Sequence, residues 1–263
     1  MFKFLKSFSS KKAYVLVISW WGARAAYALG VLQWLEELGM KDDIKAIYGV
    51  SAWAIVGAYR AAGYTAWETF ERFTDMFAFG VGKINFLPKK SLLKSDFLKK
   101  TFAQDLPAQF EQLKVPLYIW VTDANTAEYR LFSSGTIGEP LLGSMAIPGI
   151  FPPVAYEGMQ LVDGGTINNF PVDMAKDRYP KHKVIWIALN KFHNNQKLSS
   201  IFDTLLVGFD LLLKAQVVNK FDLVDHLFYK DLGVKVLDTK EKDMRKIFQQ
   251  GHEDCLSHFK GKE

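Results

Sequence analysis

Two short apolar runs, each leading directly into a helical pattern, constrain this chain more than any other feature. The first, Ala13–Ile18, is unbroken, as in a strand buried on both faces. A helical pattern over Ala23–Leu38 follows and is closed by Gly39. The second run, Ile44–Tyr48, passes straight into Gly49-Val50-Ser51 and then a helix to about Ala62. Strand, helix, strand, helix with near-continuous apolar strands predicts a three-layer α/β/α fold around a mainly parallel central sheet.

Further along, residues 64–112 read as amphipathic helix, interrupted at Gly80-Val81-Gly82 and Pro88-Lys89-Lys90. Strands are expected at Val115–Thr122, at Glu128–Ser133 (antiparallel), at Gln160–Val162 and at Val184–Leu189. Leu141–Met145 reads as a short helix or turn. Ile147–Pro153 reads as a rigid loop, because each proline fixes φ and bars helix. The C-terminal part, 198–263, is expected to be mostly helical, with Gly233–Leu237 as an edge-strand candidate. No repeat or linker-like stretch divides the chain, so 1–263 is expected to form one domain.

Composition narrows the function classes. The single cysteine, Cys255, rules out an intrachain disulfide and a Cys-based zinc cluster, and suits a cytoplasmic protein. No metal or cofactor is expected, since the five histidines are scattered. No Gly-x-Gly-x-x-Gly or Gly-Lys-Ser/Thr string follows the first strand, which argues against a nucleotide-binding domain, and no nucleic-acid partner is expected. No apolar run approaches the length of about 18 residues that spans a bilayer. The net charge of +5 and the Phe/Lys alternation of residues 1–12 leave open a peripheral contact with an anionic membrane. Aromatic residues make up 14% of the chain, enough to line an apolar pocket as well as a core.

Two turns carry chemistry. Gly49-Val50-Ser51-Ala52-Trp53 lies at a strand-to-helix junction, where a nucleophile elbow holds a serine above the sheet. The helix beginning after Ser51 offers its N-terminal amides and dipole to a developing oxyanion. Asp163-Gly164-Gly165 puts a carboxylate at a strand end before glycines that allow a sharp turn. Asn168 or Asn169 could bond that loop closed, and Pro171 could open the next helix. Read alone, each turn is also compatible with a purely structural role.

Together these strings resemble the patatin-like phospholipase family, α/β acyl hydrolases that use a Ser–Asp dyad. The likeness spans roughly residues 13–190 and rests on Ser19–Ala25, Gly49–Trp53, Ser144–Val154 and Asp163–Pro171, with Val121–Asn125 matching a strand-end Thr-Asp. It implies that Ser51 is the nucleophile and Asp163 the general base, with Asp163 partly desolvated so that its pKa rises toward working pH. It implies an oxyanion hole from the amides of Gly22 and its neighbours Trp21 and Ala23, together with Ala52. Arg24 would fix that loop. His182, His193, His226, His252 and His258 lie outside both turns, though a Ser–His–Asp arrangement using His193 stays open.

The sequence departs from the family pattern at its glycines. Trp20 and Trp21 stand in the first two glycine positions of the loop, Ala25 in its last, and Trp53 in the closing position of the elbow. A side chain at a position needing φ > 0 costs about 1–2 kcal/mol. Loss of one oxyanion donor costs about 10²–10³ in turnover. Trp20 and Trp53 are therefore expected to reshape the acyl pocket into an aromatic box, through a degraded site or, as the preferred of the two, an engineered one. The leading expectation is an impaired serine hydrolase of lipid or small esters. The alternative is a catalytically dead pocket that binds an apolar or aromatic ligand.

Overall fold

The computed structural model describes residues 13–18, 25–77, 91–168, 170–188, 200–216, 220–229 and 241–260. The N-terminal Phe/Lys segment, the Ser19–Arg24 loop with Trp20, Trp21, Gly22, Ala23 and Arg24, the Gly80 and Pro88 interruptions, Asn169, His193 and Gly233–Leu237 lie outside the described residues.

Strand β1 (Tyr14–Ile18) is followed by α1 (Ala25–Glu37), β2 (Ile44–Val50), α2 (Ala52–Ala62), α3 (Ala66–Phe77) and α4 (Asp96–Asp105). Next come β3 (Leu117–Asp123), β4 (Glu128–Phe132), α5 (Gly138–Ser144), β5 (Val154–Tyr156) and β6 (Met159–Asp163). The chain continues through α6 (Val172–Arg178), β7 (Lys183–Ala188), α7 (Ile201–Ala215), β8 (His226–Tyr229) and α8 (Glu241–Lys260). β1 lies between β2 and β7, parallel to both; β2–β3 and β7–β8 are also parallel. β4, β5 and β6 add antiparallel pairings on the far side of β2.

Helices cover both faces, as near-continuous apolar strands require. Alternate residues of a strand face opposite ways. Ile47 and Leu117 face α2, which lies so close that a Cβ added at Gly57 would come within 3.1 Å of Ile47 Cγ2. On the other face Tyr48 and Tyr118 stack with ring centroids 4.4 Å apart. There Arg178 at the end of α6 donates to the Tyr118 hydroxyl at 3.1 Å, and Tyr179 meets it at 3.0 Å. The long C-terminal helix α8 packs on α1, where the Tyr27 hydroxyl donates to Asp254 at 2.9 Å and Trp34 meets His252 edge-on.

One register creates the site. β3 pairs with β2 as far as Val50 opposite Trp120, and with β6 from Asp163 opposite Val121. β4 runs along Ile119–Asp123 and so occupies the opposite edge of β3 throughout. β2 and β6 therefore share one edge of β3 end to end, and their C-termini meet head-on.

The structure departs from two of these expectations and adds a strand to a third. Residues 64–112 are not one interrupted helix: Leu92 and Leu93 donate backbone bonds to Gly149 and Ile150 of the proline loop, and only a short 3₁₀ turn forms at Phe110–Gln112. The strand ending at Asp163 has a hairpin partner, β5, which a three-residue run does not announce. Pro171 occupies the cap position rather than the first turn of α6.

Candidate active site

Ser51 sits between β2 and α2 with φ 61° and ψ −145°. That conformation is nearly reserved for glycine and costs a serine about 1–3 kcal/mol, so its surroundings must impose it. The Ser51 N–H donates to Ser144 Oγ at 3.0 Å, and its carbonyl accepts from the Ala54 N–H at 3.0 Å. Gly49 lets the first turn of α2 fold back over the strand, since an added Cβ would lie 2.6 Å from Ala54 Cα. The result aims the Ser51 hydroxyl along the shared edge of β3.

Asp163 arrives at that point from β6. Its N–H donates to the Ala146 carbonyl at 3.0 Å, and its Oδ1 accepts from the Gly165 N–H at 2.8 Å, capping the 3₁₀ turn Gly164–Thr166. Gly164 passes directly under β3; a Cβ there would fall 2.4 Å from the Trp120 carbonyl oxygen. The free oxygen, Oδ2, accepts from Ser51 Oγ at 2.6 Å. Two side chains 112 residues apart in sequence thus form one buried pair, Ser51 at 1% exposure and Asp163 at 0%.

Burial pushes the Asp163 carboxyl up from 3.8 to about 7, while the hydrogen bonds from Ser51 and Gly165 pull the other way. A carboxyl ionising near neutral pH can both take and return a proton, as a general base requires. The family resemblance implies partial desolvation of Asp163; the structure buries it completely.

The remaining predicted residues divide. Ala52 is the first residue of α2, next to the elbow and buried. Trp53 is fully buried within the hydrophobic core, and its Nε1 has no hydrogen-bond partner among the described residues. Asp123 accepts from the N–H groups of Asn125 and Gln160, each at 3.1 Å, and so ties the β3–β4 turn to β6. Asn168 Oδ1 accepts from the Phe170 N–H at 3.1 Å and closes the loop before α6. The described histidines pack elsewhere: His226 with His258, His252 with Glu37, and His182 with Tyr179. Among the described residues no group of His, Cys, Asp and Glu is arranged to hold a metal ion. None of the described helices is long and apolar enough to cross a membrane.

Sequence reasoning missed the part played by Ser144. It opens the proline-containing segment, but no local pattern marks a serine whose partners lie on β2 and β3.

Fold and site together define a doubly covered α/β protein with a buried serine–aspartate pair where the parallel strand β2 ends against the antiparallel strand β6. A family model described as patatin-like phospholipase matches residues 22–176, more than half of the sequence, and the chain belongs to that family. Human patatin-like phospholipase domain-containing protein 6 is 28% identical over 207 residues, which cover 76% of this chain and 15% of that protein. Lysophospholipase NTE1 of Mycosarcoma maydis is 27% identical over 164 residues, 60% of this chain and 9% of that one. The chain thus corresponds to a small part of these relatives' length. Among solved structures, VipD from Legionella pneumophila superposes with a TM-score of 0.59 at 13% identity, over 95% of this chain and 67% of that one. The type III effector ExoU gives 0.52 at 14% identity, over 96% and 53%. These likenesses are of fold.

Proposed function

We propose that the chain is a serine acyl hydrolase acting on ester bonds of lipids or small esters, with Ser51 as nucleophile and Asp163 as general base. The observation that carries this reading is the 2.6 Å bond from Ser51 Oγ to a carboxylate whose burial raises its pKa to about 7. Asp163 Oδ2 takes the hydroxyl proton as Ser51 Oγ bonds to the ester carbonyl carbon. The carbonyl oxygen becomes the oxyanion, which the amide of Ala52 and the Gly22 loop stabilise. Collapse breaks the bond to the alcohol, which leaves with the proton from Asp163. Water then repeats the sequence, giving its proton to Asp163 and releasing the acid and Ser51.

Turnover is lowered by the tryptophans at glycine positions of the oxyanion loop. Hydrolysis of p-nitrophenyl butyrate by the parent, Ser51→Ala and Asp163→Asn proteins tests the reading. Loss of activity in both variants is expected; a Ser51→Ala protein as fast as the parent removes Ser51 from the mechanism. A fluorophosphonate probe adds a direct check by covalent labelling of Ser51. Ligand quenching of tryptophan fluorescence without labelling would favour a binding pocket that does not turn over.

A further inference from the structure

We infer that Ser144 is a positioning residue for this site, a clamp that holds the Ser51 elbow in its strained conformation and sets it against Asp163. This rests on the hydrolase reading for its consequence in catalysis, though not for its geometry. Ser144 is fully buried. Its Oγ accepts from the Ser51 N–H at 3.0 Å and donates to the Trp120 carbonyl at 2.7 Å. One hydroxyl therefore joins the elbow to β3 at the residue opposite Val50.

The same short segment holds the other partner. Ala146, two residues on, offers its carbonyl to the Asp163 N–H at 3.0 Å. Gly143, one residue before, packs directly against Leu161 of β6, where a Cβ would lie 2.6 Å from Leu161 Cβ. Residues 143–146 thus touch both strands that deliver the reacting groups, at the point where those strands abut. Serine suits this position because its hydroxyl accepts and donates at once, and both neighbours here are backbone groups that burial would leave unpaired.

A second consequence concerns the oxyanion. The Ser51 amide, spent on Ser144, cannot donate to a substrate oxygen. The donors left at the elbow begin with Ala52, at the first turn of α2.

The test compares Ser144→Ala and Ser144→Thr with the parent by two readouts. Amide hydrogen exchange at Ser51 reports the clamp whether or not the protein turns over substrate. Removal of the acceptor is expected to speed exchange at Ser51 about tenfold or more, with the β2 amides of Ile47 and Tyr48 unchanged, and threonine is expected to restore protection. The rate of fluorophosphonate labelling at Ser51 should fall about tenfold to a hundredfold in Ser144→Ala at unchanged probe affinity, and recover in Ser144→Thr. If Ser144→Ala does not fold, Ser144→Cys, which keeps the shape with a poor acceptor, carries the same comparison. Unchanged Ser51 exchange overturns the clamp. Faster exchange in a protein whose parent form never labels upholds the clamp and overturns the hydrolase reading instead.

Discussion

Val50 and Asp163 occupy successive rungs on one edge of β3, the first opposite Trp120 and the second opposite Val121. Because β2 stops where the C-terminal end of β6 takes over the edge, the residue after Val50 has no strand position left and turns out of the sheet as Ser51. The hydroxyl then meets the carboxylate at the end of the strand that replaced its own. Site geometry here is a property of strand register, and it constrains what substitutions can do.

The pH dependence of activity follows from Asp163. In the proposed role of general base it must be ionised, and burial pushes its pKa up to about 7. The rate of p-nitrophenyl ester hydrolysis is expected to rise with pH through about 7 and level off above it. A pH–rate profile already flat from pH 5 upward would contradict this assignment.

Stability is expected to run in the opposite direction. The unfolded chain gives up the Asp163 proton near the ordinary value of 3.8, whereas the folded chain keeps it to about 7. Between those values the folded state binds the extra proton, so stability falls as pH rises and is level again above about 7. The loss across that window from this residue is on the order of 4 kcal/mol. Urea unfolding from pH 4 to 8 measures it, and Asp163→Asn is expected to remove this component of the slope.

Gly164→Ala is expected to damage site and fold together. The added Cβ would fall 2.4 Å from the Trp120 carbonyl oxygen, which is backbone and cannot step aside. Overpacking of this kind costs about 1–3 kcal/mol, and the forced shift moves the Asp163 carboxylate away from Ser51. A lowered melting temperature together with a loss of ester hydrolysis of about a hundredfold is the expected result, since small misplacements at a reacting pair have large effects.

The tryptophans should separate into two kinds. Trp53 is core, and Trp53→Gly is expected to cost about 3–5 kcal/mol or more through the cavity it leaves, with no gain in rate. From the proposed effect of Trp20 and Trp21 on turnover, replacing both with glycine is expected to raise the rate about tenfold or more. Melting curves and steady-state rates on the same preparations distinguish the two cases.

Much of this arrangement was legible in the sequence. The run Tyr14–Ile18 is buried along its whole length, and Gly39 closes α1 at φ 73°, so apolar continuity and a glycine stop were sufficient signals. Gly49-Val50-Ser51 and Asp163-Gly164-Gly165 each mark a turn locally. What no local pattern carries is the sharing of β3 by two strands, because register between β2 and β6 depends on partners more than 100 residues apart. The edge strand His226–Tyr229 was missed for a different reason: four residues led by a histidine carry too little periodicity to read. Ser144 was hidden because its bonds run to backbone groups on other strands.

In the proposed mechanism Ser51 and Asp163 act as one unit. A double-mutant cycle on kcat/KM for p-nitrophenyl butyrate, using Ser51→Ala, Asp163→Asn and the combined variant, tests it most directly. Either change alone is expected to remove nearly all serine-dependent hydrolysis, and the pair to lose no more than Ser51→Ala does. Losses that multiply, or a Ser51→Ala protein that keeps the parent rate, would contradict it.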